Sequence, residues 1–370
     1  TYAAPGERIT FRIPASDADM GLVARIGCHN DDITSDFAIK RENWHRFPVI
    51  TNTVALNKRV IELANPFGGP IYIEMPGNDK NGKSRDQVRI EIVGAVEAPN
   101  FTLGKTTRTE WENSRLAPAP WAEMICDKMV VSVPSKHIRE LSYAEATELM
   151  KTWTETVEAC DWLAAWKDRR SAERIVSDAE ISIGWMHSGY PIKCYLDSAK
   201  DSVNVTKLRK DGNWGFFHEL GHNHQRTDWT FPGQTEVTVN LFSLYCMEKL
   251  VGLPRGTGHG SIKDLHGNMA KRLANPPNMG AFEQLAPFMV LIEAHGWEPI
   301  RSTLRSYAQN PATGDVPLKQ NSFVIRYGQA AKVDVSDFFT KLGYPVTAET
   351  KQALKGFPAF TYTPPAPAGK

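Results

Sequence analysis

The sequence predicts a mixed α/β (α+β) protein: a small β-sandwich first, then a segment mixing strands with helices, then a helical region. Three observations carry this. From Glu7 to about Glu97, apolar residues recur at every second position in short runs. From Tyr143 onward, longer stretches repeat at helical spacing. Residues 211–245 read as a capped helix, a loop and a second helix, the first carrying two histidines four positions apart.

In chain order, Arg8–Ile13, Leu22–Gly27, Ile71–Met75 and Val88–Ile92 alternate apolar and polar residues between Pro and Gly boundaries, as half-buried strands do. Asn78–Gly82 reads as a hairpin-type loop. A connector with Pro99, Pro118 and Pro120 follows. Tyr143–Asp168, with Leu149, Trp153, Val157, Cys160 and Leu163, reads as one or two amphipathic helices. Ile175–Trp185 and Tyr190–Leu196 return to strand spacing. Leu285–Ser306 and Val335–Leu342 supply more helix, and the Pro-rich tail Pro364–Lys370 has little to pack. This divides the chain into an accessory sandwich (1–100), a central domain (101–260), a helical subdomain (261–362) and a tail (363–370). No internal repeat is present.

At 370 residues the chain is too long for one ordinary core. A formal charge of +1 and the lack of a basic run argue against nucleic acid as a partner. No apolar stretch approaches the roughly 20 residues that span a bilayer, so membrane insertion is not expected. Cys28, Cys126, Cys160, Cys194 and Cys246 are odd in number and widely spaced, which suggests buried thiols rather than a disulfide framework. The chain starts at Thr1 and shows no signal peptide. Nothing in the pattern specifies an oligomer.

The chemistry concentrates at His218-Glu219-Leu220-Gly221-His222. Residues four apart on a helix lie about 40° apart around the axis, so both imidazoles can face one metal ion. Glu219 is rotated by about 100° from His218, close enough to serve as general base without coordinating. Phe216, Phe217 and Leu220 give the helix an apolar body. Gly221 lets another backbone approach, and Asp211-Gly212-Asn213 reads as a turn and N-terminal cap.

A catalytic zinc needs three protein ligands and one open position. The metzincin route would require Gly at 225 and His at 228, where this chain has Gln225 and Asp228. Glu236 is the better third ligand, on a second helix where Asn240 shares its face. Asn240 could then bond the outer nitrogen of a ligating histidine, or be an ordinary polar residue of a helix face. His224 lies about 200° from His222 and reads as a supporting or core histidine. Upstream, Met186–Ile192 has the polar, Pro-ended character of an edge strand able to receive an extended peptide, or of a bend between core strands.

With these residues assembled, the chain resembles the peptidase M60 family, the enhancin-like and mucin-directed zinc metallopeptidases. Their HExxH and later Glu correspond to His218, Glu219, His222 and Glu236. Pro120–Met124, Val131–Ser135, Met186–Ile192, His222–Gln225 and Asp334–Phe339 also match, and Ile26–Asp31 and Gly68–Ile73 look like the family's accessory β-domain. Some channel-associated relatives have lost the second histidine, whereas His222 is present here. The resemblance implies a gluzincin-type catalytic domain with a helical C-terminal subdomain and one Zn2+ per chain. It also implies secretion, surface display or a periplasmic location, and substrates that are O-glycosylated proteins or mucins cut beside a glycosylated Ser or Thr.

The expectation is a zinc endopeptidase with Glu219 as catalytic base. For the oxyanion, Tyr245, His295, Tyr307 and Tyr327 are all open, and for glycan contacts the candidates are Trp121, Trp185, His187, Tyr190, Trp229 and Arg326. Each of these can equally be a packing residue. The competing expectation is a glycan- or mucin-binding protein with a vestigial or structural metal, or a general protease indifferent to glycans. Three identifiable ligands rather than four favour catalysis.

Overall fold

The computed structural model describes residues 1–18, 20–34, 42–75, 88–165, 171–274 and 279–364. The predicted loop at Asn78–Gly82 and nearly all of the tail lie outside these residues. Two compact units emerge: residues 1–154 with 172–205, and residues 155–171 with 206–370.

The first unit opens with β1 (Tyr2–Ala3), β2 (Arg8–Arg12), β3 (Val23–Ile26), β4 (Asn52–Ala55), β5 (Val60–Ala64), β6 (Gly69–Glu74) and β7 (Glu91–Val93). They form two antiparallel sheets, ordered β1-β6-β3-β4 and β5-β2-β7. The period-two pattern explains why they face each other. Ile9 and Phe11 of β2 and Ile61 and Leu63 of β5 meet Ala24 and Ile26 of β3 in one buried cluster. Removing these side chains from water is the main stabilising term of the sandwich.

A six-stranded mixed sheet follows, with β8 (Asn100–Thr102), β9 (Trp121–Ile125), β10 (Met129–Pro134), β11 (Glu173–Asp178), β12 (Met186–His187) and β13 (Ile192–Tyr195) in the order β12-β13-β11-β10-β9-β8. β10, β11 and β13 run parallel, and β12 is the antiparallel strand at one edge. Polar contacts join the sandwich to this sheet. Tyr72 Oη donates to Glu123 Oε1 at 2.8 Å, and Arg174 Nη1 reaches the same oxygen. Arg46 lays its Nε between both oxygens of Asp178 at 3.1 Å, and both groups are buried. A buried ion pair of this kind fixes register more than it adds stability.

The helices are α1 (Arg108–Ser114), α2 (Tyr143–Ala164), α3 (Leu196–Ser202), α4 (Val205–Asp211), α5 (Trp214–His224), α6 (Thr235–Cys246), α7 (Leu265–Ala274), α8 (Ala281–His295), α9 (Glu298–Gln309), α10 (Val316–Ala331), α11 (Ser336–Lys341) and α12 (Ala348–Leu354). α2 is one continuous helix through Ala164, and the helical C-terminal region predicted from the sequence is present. No described helix is long and apolar enough to cross a membrane. All five cysteines are buried and none forms a disulfide.

Candidate metal centre

The centre is built in the second unit by α5 and α6. Asn213 caps α5 by accepting from the Phe216 N–H at 3.1 Å, and Gly212 before it takes φ +68°, the conformation that suits a residue without Cβ. Phe216, Phe217 and Leu220 are buried and orient the helix, leaving His218 and His222 together on the other side. Gly221 is where the two helices touch: a Cβ there would come within 2.9 Å of the Val239 carbonyl oxygen. The glycine permits the approach that brings Glu236 to the histidines.

The three side chains converge. His218 Nε2 lies 3.1 Å from His222 Nε2 and 3.0 Å from Glu236 Oε2, and His222 Nε2 is 3.5 Å from Glu236 Oε1. Among the described residues they are the group of His, Cys, Asp or Glu arranged to hold a metal ion. Zinc bound tetrahedrally at about 2.0–2.2 Å separates its ligand atoms by about 3.3–3.5 Å, so one ion fits this spacing.

Outer hydrogen bonds aim the rings. Asn240 Nδ2 donates to the Glu236 carbonyl at 2.8 Å, which turns Oδ1 toward His218 Nδ1 at 2.9 Å. With Asn240 accepting at Nδ1, Nε2 is the atom of His218 that would face a cation. Gln225 does the same for His222. Its Nε2 donates to Thr235 O at 2.8 Å and Thr238 Oγ1 at 2.7 Å, leaving Oε1 to accept from His222 Nδ1 at 2.8 Å. Burial, and then the neighbouring His222, hold His218 below its ordinary pKa, which favours the neutral ring. Two imidazole nitrogens and a carboxylate suit a borderline-soft divalent cation. Glu219 is buried on α5 beside His218.

Gln225 entered the sequence reading only as a departure from the metzincin pattern. The signal that marks it is positional: it is the C-cap of α5, three residues after His222, where its side chain can turn back to the ring. His224 is fully buried, with Nδ1 at 2.6 Å from Leu220 O and Nε2 at 3.1 Å from Asp161, which makes it a core histidine.

The remaining candidates are scattered. Arg326 stacks on Tyr307 in the second unit, with its ring contact at 4.1 Å. Trp229 is 2% exposed and packs near Phe242, so its indole belongs to the core and offers no platform. Tyr245, Tyr307 and Tyr327 are buried, and His295 Nδ1 lies 3.1 Å from Tyr327 Oη. Trp121, Trp185, His187 and Tyr190 belong to the first unit. Trp121 meets the His29 ring edge-on at 4.3 Å. Trp185 is 60% and Tyr190 62% exposed, on either side of β12. His187, on the edge strand itself, is held by Asp31 Oδ2 at 2.9 Å from Nε2 and by the Ser188 carbonyl at 2.9 Å from Nδ1.

Comparison with known proteins agrees with this geometry. The model of peptidase M60, enhancin and enhancin-like, matches residues 94–343, and that of the N-terminal domain of M60-like peptidases matches residues 1–112. A TRPM8 channel-associated factor homolog from Xenopus laevis is 32% identical over 98% of this chain and 40% of its own length. The chain thus spans about two fifths of such relatives. Among solved structures, a functionally unknown conserved protein from Bacillus anthracis superposes with a TM-score of 0.73 at 20% identity, over 98% of this chain and 73% of that one. The M60 catalytic domain of Clostridium perfringens ZmpC, in complex with the sialyl T antigen, gives a TM-score of 0.70 at 17% identity, over 97% and 74%. With the family model covering residues 94–343, most of its length, the chain belongs to the peptidase M60 family.

Proposed function

We propose that the protein is a zinc-dependent endopeptidase that cuts glycoproteins, and among them mucin-type O-glycosylated chains beside a glycosylated Ser or Thr. The observation that carries this is the convergence of His218 Nε2, His222 Nε2 and Glu236 within 3.5 Å, with both histidines aimed by amide side chains. A zinc ion bound by the trio supplies a Lewis acid that polarises a carbonyl and makes water nucleophilic near neutral pH. The rest falls to the chain's own groups. Asn240 and Gln225 hold the ring tautomers. Glu219 takes the proton of the attacking water on a carboxylate oxygen and passes it to the leaving amine nitrogen. The exposed Trp185 and Tyr190 flanking β12 offer apolar faces for a glycosylated substrate.

The glycan part of the reading is supported by the antigen complex of the ZmpC relative. A second reading takes its support from the channel-associated relatives, whose name describes association with a channel: a binding protein in which the trio holds a structural metal. Replacing Glu219→Gln separates the two. The variant should retain stoichiometric zinc and its fold while cleavage of a defined O-glycopeptide falls by roughly 10²–10⁴-fold. Wild-type protein that holds zinc yet cuts neither the glycopeptide nor its deglycosylated form would favour the binding reading, and equal cleavage of both forms would leave a general protease.

A further inference from the structure

Arg326 has a setting of its own. It lines a cavity of about 790 Å3 formed by residues of α9, α10 and α12 and the segments beside them, and none of His218, His222 and Glu236 borders that cavity. The volume suits a small organic ligand.

The guanidinium carries five N–H groups. Its Nε donates to Ser322 Oγ at 2.9 Å, Nη1 to Ser306 Oγ at 2.9 Å, and Nη2 to the Asn310 carbonyl at 2.8 Å. One face rests on the Tyr307 ring. These partners fix the group rigidly, and all of them are neutral. Each terminal nitrogen keeps one N–H without an acceptor among the described residues, and no carboxylate there pairs with the charge. Glu349, the acidic residue on the same lining, is instead turned to the Thr347 side chain and its own backbone N–H. A positive group held in place with two donors to spare is what a carboxylate completes.

The other walls narrow the choice. Leu318 is 60% exposed and, with Ile325, offers an apolar surface, while Gln309 and Gln329 present side-chain amides. No aromatic ring lines the cavity to take the face of a sugar. We propose that this cavity binds the C-terminal carboxylate of a peptide: the carboxylate on Arg326, an apolar last side chain against Leu318 and Ile325, and the preceding amide groups on Gln309 and Gln329. The site is independent of the metal centre and of the activity assigned to it.

Titration of the whole chain with N-acetyl-leucine, N-acetyl-leucinamide and N-acetylneuraminic acid, followed by calorimetry or ligand-observed NMR, tests this. N-acetyl-leucine should bind at least about tenfold more tightly than its amide, the difference expected when a charge-assisted contact is lost. Arg326→Gln should abolish that preference. Because the variant also loses its bonds to Ser306 and Asn310, its fold is checked by circular dichroism, and the acid-against-amide comparison on wild type decides alone if it fails to fold. Equal binding of acid and amide, no binding of either, or preference for the acidic sugar would overturn the proposal.

Discussion

His218 and His222 in the second unit and His187 in the first are all half-buried, doubly hydrogen-bonded histidines, yet their partners suit them to different tasks. The metal-facing pair each turn Nδ1 to an amide oxygen, and their Nε2 atoms converge with the Glu236 carboxylate, where a bound cation would take their lone pairs. His187 faces acceptors on both sides, the Asp31 carboxylate and the Ser188 carbonyl. Acceptors on both nitrogens favour the protonated ring. Burial lowers His187, but the bonds to Asp31 and Ser188 outweigh it and raise the pKa. Burial raises Asp31, and the bonds from His187 and Ser182 with the charge of Lys193 bring it far below the carboxylate range. An amide on Nδ1 leaves the far nitrogen of a histidine for a metal, whereas acceptors on both nitrogens favour its charged form and tie His187 to the segment that carries Asp31.

The comparison can be broken from either side. The largest effect should come from His222→Ala or Glu236→Ala, which remove a ligand: zinc measured by atomic emission after gel filtration should fall from one per chain to near zero, with the fold retained. Next, Asn240→Ala and Gln225→Ala should each weaken zinc by roughly 10–100-fold in chelator competition. An unchanged affinity would show that the amides do not aim the rings. Gly221→Ala, which pushes α5 off α6, should destabilise the protein by about 1–3 kcal/mol in denaturant unfolding. The smallest effect is pH-dependent. His187, raised, contributes stability that is present below its unfolded pKa of ~6.5 and is lost as pH climbs through the higher folded value. Asp31, depressed, contributes stability that is present above ~3.9 and is lost as pH drops through the lower folded value. Wild type should therefore lose thermal stability relative to Asp31→Asn at both ends of that window, and parallel profiles would refute the ion pair.

Much of this was legible from local pattern. Period-two runs such as Arg8–Ile13 became strands because alternation dictates which face is buried, and the five-residue span 218–222 placed two rings on one helix face whatever the rest of the chain did. Glu236 and Asn240 needed only the assumption of a second helix. What the sequence hid were pairings across long separations. Asp31 with His187 and Arg46 with Asp178 are joined by the packing of the sandwich on the sheet, which no spacing announces. Trp229 and Arg326 look like surface chemistry by type, and only the packing of Phe242 and Tyr307 shows where they belong. The strand-like stretch at Ile175–Trp185 ends at Asp178, since the segment after it bonds Asp31 and the His45 backbone instead of a ladder.

Gln225 has one further effect. By capping α5 and donating to Thr235 and Thr238, it stitches the end of one helix directly to the first turns of the next. The alignment of Glu236 with the histidines is thereby set in part by a side chain, beside the close approach at Gly221 and the nine residues from Arg226 to Gln234 that join the two helices. A change in that segment would have to be absorbed around the buried Trp229 and Phe231, whereas loss of the residue three places past the second histidine would release that ring and the first turns of α6 together.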